Sequence, residues 1–479
     1  MSGHNGGRFR VGVAAVALLL GGLAAPGPAA ATGLEFGPGA PVNPATAPAG
    51  GASSHGDSAS SKTFTGAGPA GSPVVVTRST LLAACPTLLH GSDGQLLGLC
   101  TDVLGQTPAV HVLDNATGFP LARLSIAKGS LLGGVYAYLD DQDQVVMVDG
   151  NRDLLHIAHH RGPFGIWTLR VTQRIPLAAA IAADDAVTGV IPGYDGRVWF
   201  VTGNGTVGVV DTATNAVGTY QLPAGERVDN SISTVPGTLA VTSDHALYLF
   251  DTNAAVPQPR WRYAYDRGPA RKPGQLSWGS GATPVFFGPT NGYDYVAITD
   301  NARPRMNLLV LRTGAATPQP VCSQSLFANQ PASGTENAPV AAGRAVFLTN
   351  TYGYNYPTLP PDAGPSVPDD ATFTGGLTRV DVRADGSGCE VAWESATRSA
   401  ALPRLSVTDR HLYTAIQNGP GTELDPFSYA AINADTGAVT DQALLGSLLG
   451  NPLQTAGTAI GRVYYQGTLT GIARIAPLQ

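Results

Sequence analysis

VWFVTGNGTVGVVDTATN, Val198 to Asn215, reads as two strands and two turns. Val198–Thr202 and Thr206–Val210 are short runs rich in β-branched and aromatic residues. Gly203-Asn204-Gly205 between them is turn chemistry, and the second run ends in an Asx-type turn at Asp211. The second feature recurs as VLDNATG (from Val112), LFDTNAA (Leu249), VLRTGAA (Val310), VDVRADG (Val380) and AINADTG (Ala431). The first recurs as LGLCTD, VVMVDG, LAVTSD, YVAITD, AVFLTN, LYTAIQ and VYYQGT. With VWFVTG this makes eight polar-ended second strands, spaced at roughly fifty residues, the period of four-stranded propeller blades. No stretch shows sustained helical amphipathicity.

The reading is therefore an all-β chain, an eight-bladed β-propeller of four-stranded blades over residues 73–479, with seven as the alternative count. The eighth unit runs out after three strands, at GIARIAPLQ. SPVVVTR, Ser72 to Arg78, is expected to supply the missing outer strand and so remove the open edge.

AINADTG and VLDNATG resemble the A-x-D-x-x-T-G repeat of the quinoprotein, or PQQ-like, β-propellers. In that repeat the acidic or amide side chain and the Thr bond to the turn backbone, and Gly supplies positive φ. The family's repeat carries a tryptophan that stacks between blades; Trp261 and Trp393 lie on comparable outer strands here. The chain looks like an uncharacterised exported actinobacterial propeller of this type. Adjacent cysteines, which mark some quinoprotein dehydrogenases, are absent from the sequence, which disfavours PQQ as a cofactor.

Composition bounds the rest. The chain has 479 residues, 43% hydrophobic but only 13% charged, where about 25% is usual. A net charge of −6 with no basic stripe argues against a nucleic-acid partner. Residues 1–31 read as a secretory signal peptide: Arg8 and Arg10, the apolar run Val11–Ala25, and small residues at Ala29–Ala31. That run is shorter than the ~20 residues of a membrane span. The expectation is a secreted or cell-envelope protein, monomeric, with no retained span. Residues 32–72, rich in Pro, Gly, Ala and Ser, read as a disordered linker. In an oxidising compartment Cys85, Cys100, Cys322 and Cys389 are expected as two disulfides, and Cys85–Cys100 with Cys322–Cys389 is the preferred pairing. The repeat puts Cys322 and Cys389 on equivalent outer strands of consecutive blades.

By propeller analogy, the loops before inner strands and those between second and third strands open on one face. Blades four to six carry the most polar versions of both. Asn230, Asp300, Asn301, Glu336 and Asn337 form a candidate oxygen donor set that would suit Ca²⁺. Asp244, Arg303, Arg305, Tyr352 and Tyr354 are candidate ligand-binding residues, the tyrosines on a long insertion at 351–376. His245 is the acid–base candidate on that face. The donor set resembles the channel calcium of lactonase-type propellers, which makes a metal-dependent hydrolase the alternative to a binding or scaffold protein. A PQQ oxidoreductase ranks behind both. No nucleophile elbow, Walker loop, zinc-protease or haem motif occurs. The partner would be a small molecule or an envelope protein.

Overall fold

The computed structural model describes residues 36–48, 50–129, 136–420, 422 and 424–478. The expected signal peptide lies outside these residues. The chain builds eight sheets, each with four antiparallel blade strands that are consecutive in all but the eighth, arranged as a β-propeller. Blades one to seven span residues 83–125, 138–176, 187–221, 233–264, 285–325, 340–395 and 404–446. Blade eight takes three strands from 458–477, and its outer strand is Val74–Thr80, paired from Val74↔Pro477 to Thr80↔Gly471. The expected closure by the N-terminal strand is thus present.

Middle strands are buried throughout, as in Val198–Thr202, because neighbouring blades cover both faces. Outer strands alternate, as in Trp167–Pro176, because one face meets water. The turns at 114–118 and 433–437 are built as the repeat predicts. Oδ1 of Asp114 accepts from the backbone N–H of Ala116 and Thr117 and from the Thr117 hydroxyl. Asn433 does the same for Asp435 and Thr436. Both interblade tryptophans dock on the next blade's turn: Trp393 donates to the Ala434 carbonyl at 3.1 Å, and Trp261 to Ala315 at 3.2 Å. Gly437 has φ +72, and a Cβ there would stand 2.6 Å from the Trp393 ring. That position therefore needs glycine twice over.

Cys85–Cys100 ties the first two strands of blade one, and Cys322–Cys389 staples the outer strands of blades five and six. Both expected pairings form.

Residues 36–72 correct the linker expectation. Residues 51–64 run along the inner strands in the bore, while 37–43 lie against first-to-second-strand turns and 68–72 pass over blades seven and eight. Backbone N–H groups of Thr234, Phe286, Ala341 and Leu405 donate in turn to the carbonyls of Ser58, Ala59, Ser61 and Lys62. This stretch therefore steps around blades four, five, six and seven. Gly51 accepts from His90 of blade one, and Ala52 from Leu139 of blade two. Thr63–Phe64 adds a parallel pair to the inner strand of blade seven. The physical reason is size. Converging inner strands leave a narrow bore that admits Ala, Ser and Gly; a Cβ on Gly51 would lie 2.0 Å from the His90 ring. The composition of a disordered linker is also the composition of a plug.

Candidate functional site

The plug bonds to the inner strands themselves. A cavity of about 320 Å³ lies at the opposite end of the bore, lined by residues that precede those strands and by second-to-third loops. Its wall is drawn from blade one (Ala84, Pro86, Asp102), the loops leading into blades four to six (Asp229, Leu276, Thr283, Glu336) and blade eight (Gln454, Leu469). His55 of the plug also lines it, as do Tyr136 and Tyr356. The cavity is axial, and most of the ring contributes, blade three excepted.

Its titratable groups are strongly perturbed. Burial raises the Glu336 carboxyl to about 8, although the Leu276 N–H donates to Oε2 at 2.9 Å and opposes that rise. Burial likewise raises Asp229 to about 6, against the pull of Arg227 at 3.4 Å. His55 is only 8% exposed, and neither ring nitrogen has a hydrogen-bond partner. Burial and the nearby cations Lys62 and Arg404 hold it well below its ordinary value, so it is neutral. Its ring lies 5.7 Å from that of Tyr136. Beneath it, Lys62 and Arg404 are 0% and 1% exposed, and neither has an ion pair among the described residues. Lys62 donates to the Ser60 carbonyl at 2.5 Å and Arg404 to that of Gly50 at 2.6 Å.

The 351–376 insertion forms one wall. Tyr356 and Pro357 line the axial cavity on one side and an outer cavity of about 670 Å³ on the other. The Tyr356 hydroxyl is buried without a partner. Tyr354 packs edge-on to Tyr356 at 4.8 Å and donates to Asn451 at 2.5 Å. The insertion is tied down by Asp362 to Arg227, by the Gly364 carbonyl to Arg271, and by the Val367 carbonyl to Arg303.

Of the residues singled out from sequence, Glu336 and Asn337 line the axial cavity. Asn230 does not; it is buried beside Asp229, with its Oδ1 unpartnered. Asp300 accepts from its own turn, Ala302 and Asn307, through both oxygens. Asn301 donates to the carbonyls of Arg267 and Ala270. Asn337 donates to Thr349 and Gln454. These donors do not converge, and among the described residues no group of three or more His, Cys, Asp and Glu could hold a metal ion. The physical reason is local: the Asp300 carboxylate satisfies the N–H groups of its own turn, and the Asn301 and Asn337 amides are anchored by donating to neighbours, with the Asn301 Oδ1 buried and unpartnered. Asp244 is taken up by Arg267 at 2.6 Å and His245 at 2.8 Å. His245 Nε2 meets the Arg267 guanidinium at 2.7 Å, so both ring nitrogens are already engaged by neighbouring side chains. Arg305 donates to the Gln330 carbonyl. Tyr352 lines neither cavity, and Tyr354 only the outer one.

The architecture is that of an eight-bladed β-propeller with an axial plug and an axial cavity. No family profile matches the chain. An uncharacterised protein of Archaeoglobus fulgidus is 31% identical over 129 residues, 26% of this chain and 25% of that protein, so the match spans about a quarter of either. Solved structures similar to it are themselves propellers. The C-terminal WD40 domain of Sif2 has a TM-score of 0.47 at 8% identity, covering 84% of this chain and 99% of that one. The WD40 domain of Toxoplasma gondii coronin has 0.44 at 10%, covering 87% and 89%. Virginiamycin B lyase from Staphylococcus aureus has 0.39 at 9%, covering 85% and 100%.

Proposed function

We propose that the protein is an exported, monomeric ligand-binding β-propeller of quinoprotein-type repeat that holds a small molecule in its axial cavity. One observation carries the reading: a cavity of about 320 Å³ lined by the buried, uncompensated polar groups of Glu336, His55 and Tyr356. Pockets of this size, mostly apolar with a few convergent polar groups, are the usual form of small-molecule sites. Export is supported by the basic and apolar pattern of residues 1–31 and by both disulfides. The hydrolase alternative needs the oxygens of Asn230, Asp300, Asn301, Glu336 and Asn337 on one cation; those of Asp300 are held by its own turn, while Asn301 is anchored through its amide N–H groups to Arg267 and Ala270 and Asn337 to Thr349 and Gln454. The binding reading uses neither calcium nor a quinone.

The test is a cavity-filling substitution. Ala338 is buried and lines the cavity. Ala338→Phe is expected to abolish small-molecule capture from a metabolite extract, read by mass spectrometry of the heat-released fraction, with the melting temperature nearly kept. Equal capture by wild type and variant would refute the reading.

A further inference from the structure

The axial cavity has a sign. Three carboxyls line it, Asp102, Asp229 and Glu336, and no lysine or arginine does. Asp102 is neutralised by Arg123 at 2.7 Å. Asp229 shares Arg227 with Asp362, and Arg227 sits closer to Asp362. Glu336 has no ion pair among the described residues; a backbone N–H is its hydrogen-bond donor. At the opposite side His55, more than nine-tenths buried, turns two unpartnered nitrogens to the cavity above the buried cations Lys62 and Arg404. The lining thus sets carboxyl groups on the wall against two buried basic side chains behind His55.

We propose that the cavity binds a small organic ammonium compound, its ammonium held by Glu336 and Asp229 and an oxygen acceptor turned to His55. This rests on the ligand-binding reading above and names its ligand class. An ammonium supplies the counter-charge that Glu336 lacks and that Asp229 only shares with Asp362, and charge-assisted bonds of this kind are the strong ones. The rings of Tyr136 and Tyr356 provide faces for the cation. Neutral His55 has one N–H to donate to the ligand oxygen. The groups facing Glu336 are Asp229, Arg271, Tyr136 and Tyr356. Burial keeps Glu336 protonated at neutral pH, so ammonium binding must expel its proton, and affinity must rise as pH climbs towards about 8.

The experiment is calorimetric titration of the mature chain with a panel of alkanolamines and arylalkylamines. Each is matched with the isosteric alcohol and carboxylate, with Ca²⁺ alone as a further arm. The expected result is binding by amines only, with proton release and an affinity that rises from pH 6 to 8. Glu336→Gln should weaken it at least roughly tenfold, and Asp229→Asn several-fold. His55→Phe should weaken the alkanolamines and leave plain alkylamines unchanged. Circular dichroism melts of each variant verify folding, and Gln and Asn are isosteric with what they replace. Preference for the alcohols or carboxylates would overturn the inference and leave the cavity reading standing. Binding of Ca²⁺ alone with the same Glu336 dependence would also overturn it. No binding by any probe, in wild type and Ala338→Phe alike, would overturn both.

Discussion

Lys62 offers the sharpest test of the plug. It is fully buried in the bore, and burial lowers its ammonium from 10.5 to about 7. At 1.36 kcal/mol per pKa unit this corresponds to about 5 kcal/mol of disfavoured charge, as an upper estimate. The folded protein binds this proton more weakly than the unfolded chain. Between about pH 7 and 10.5 the unfolded chain therefore holds more protons, and stability from this group rises with pH across that window. Lys62→Met removes the charge at nearly constant volume. It keeps the backbone bonds to His55 and Leu405 and the same left-handed φ of +60. It loses the bond to the Ser60 carbonyl, which contributes about 1 kcal/mol. The variant should be more stable than wild type by about 3–4 kcal/mol at pH 6, falling to about zero or slightly below by pH 10. In a chain of this size that is roughly 3–4 °C in Tm at pH 6. Differential scanning calorimetry of both proteins from pH 5 to 10 reads it. A difference that does not change with pH, or a variant several degrees less stable at pH 6, would refute the placing of Lys62 in a dry, unpaired site.

Other outcomes follow from the same packing. Gly437→Ala should cost more than about 1 kcal/mol, since it combines a left-handed residue with a collision against Trp393; chemical denaturation would show a lower midpoint at unchanged slope. Cys322→Ser with Cys389→Ser opens a loop of 67 residues and should lower stability by about 4 kcal/mol on the chain-entropy account, with peptide mapping of the wild type recovering the linked pair. Tyr356→Phe removes a buried hydroxyl that has no partner, and should be neutral or mildly stabilising in a thermal melt. Tyr356→Ala should join the axial and outer cavities and speed ligand dissociation in a stopped-flow displacement assay.

The fold was legible because its determinants are local. Strand pairs such as Val198–Val210 and Asx turns such as Asp114–Gly118 repeat, and repetition with a closing strand at Val74–Thr80 leaves few architectures. The plug was not legible, because its information lies in the shape of the bore. Small residues such as Gly51, Ala52 and Ser58 become structured only where eight sheets converge on them. The site was legible by half. Glu336 stood out as an acid in a polar loop, but Asp300 and Asn301 sit in an equally polar loop, and there Asp300 serves its own hairpin while Asn301 ties down the 267–270 loop. Asn230 shows how fine the margin is. Its neighbour Asp229 lines the cavity and Asn230, at a bend in the chain, does not. His55 and Tyr136 carried no motif at all.

The plug also constrains how the chain is made. Ser58 to Lys62 and the strand Val74–Thr80 leave the ribosome before any blade, yet their partners include Leu405 and Pro477 near the other end of the chain. Such distant pairings are slow to find. Until residue 477 emerges, the strand Val74–Thr80 has no partner and the bore around the plug is incomplete, and exposed edges of that kind invite association. The earliest-made residues are thus the last to be placed. A nascent chain that must wait in this way needs either a chaperone or a strand sequence poor in self-pairing, and its weakest moment is the interval before the final blade is complete.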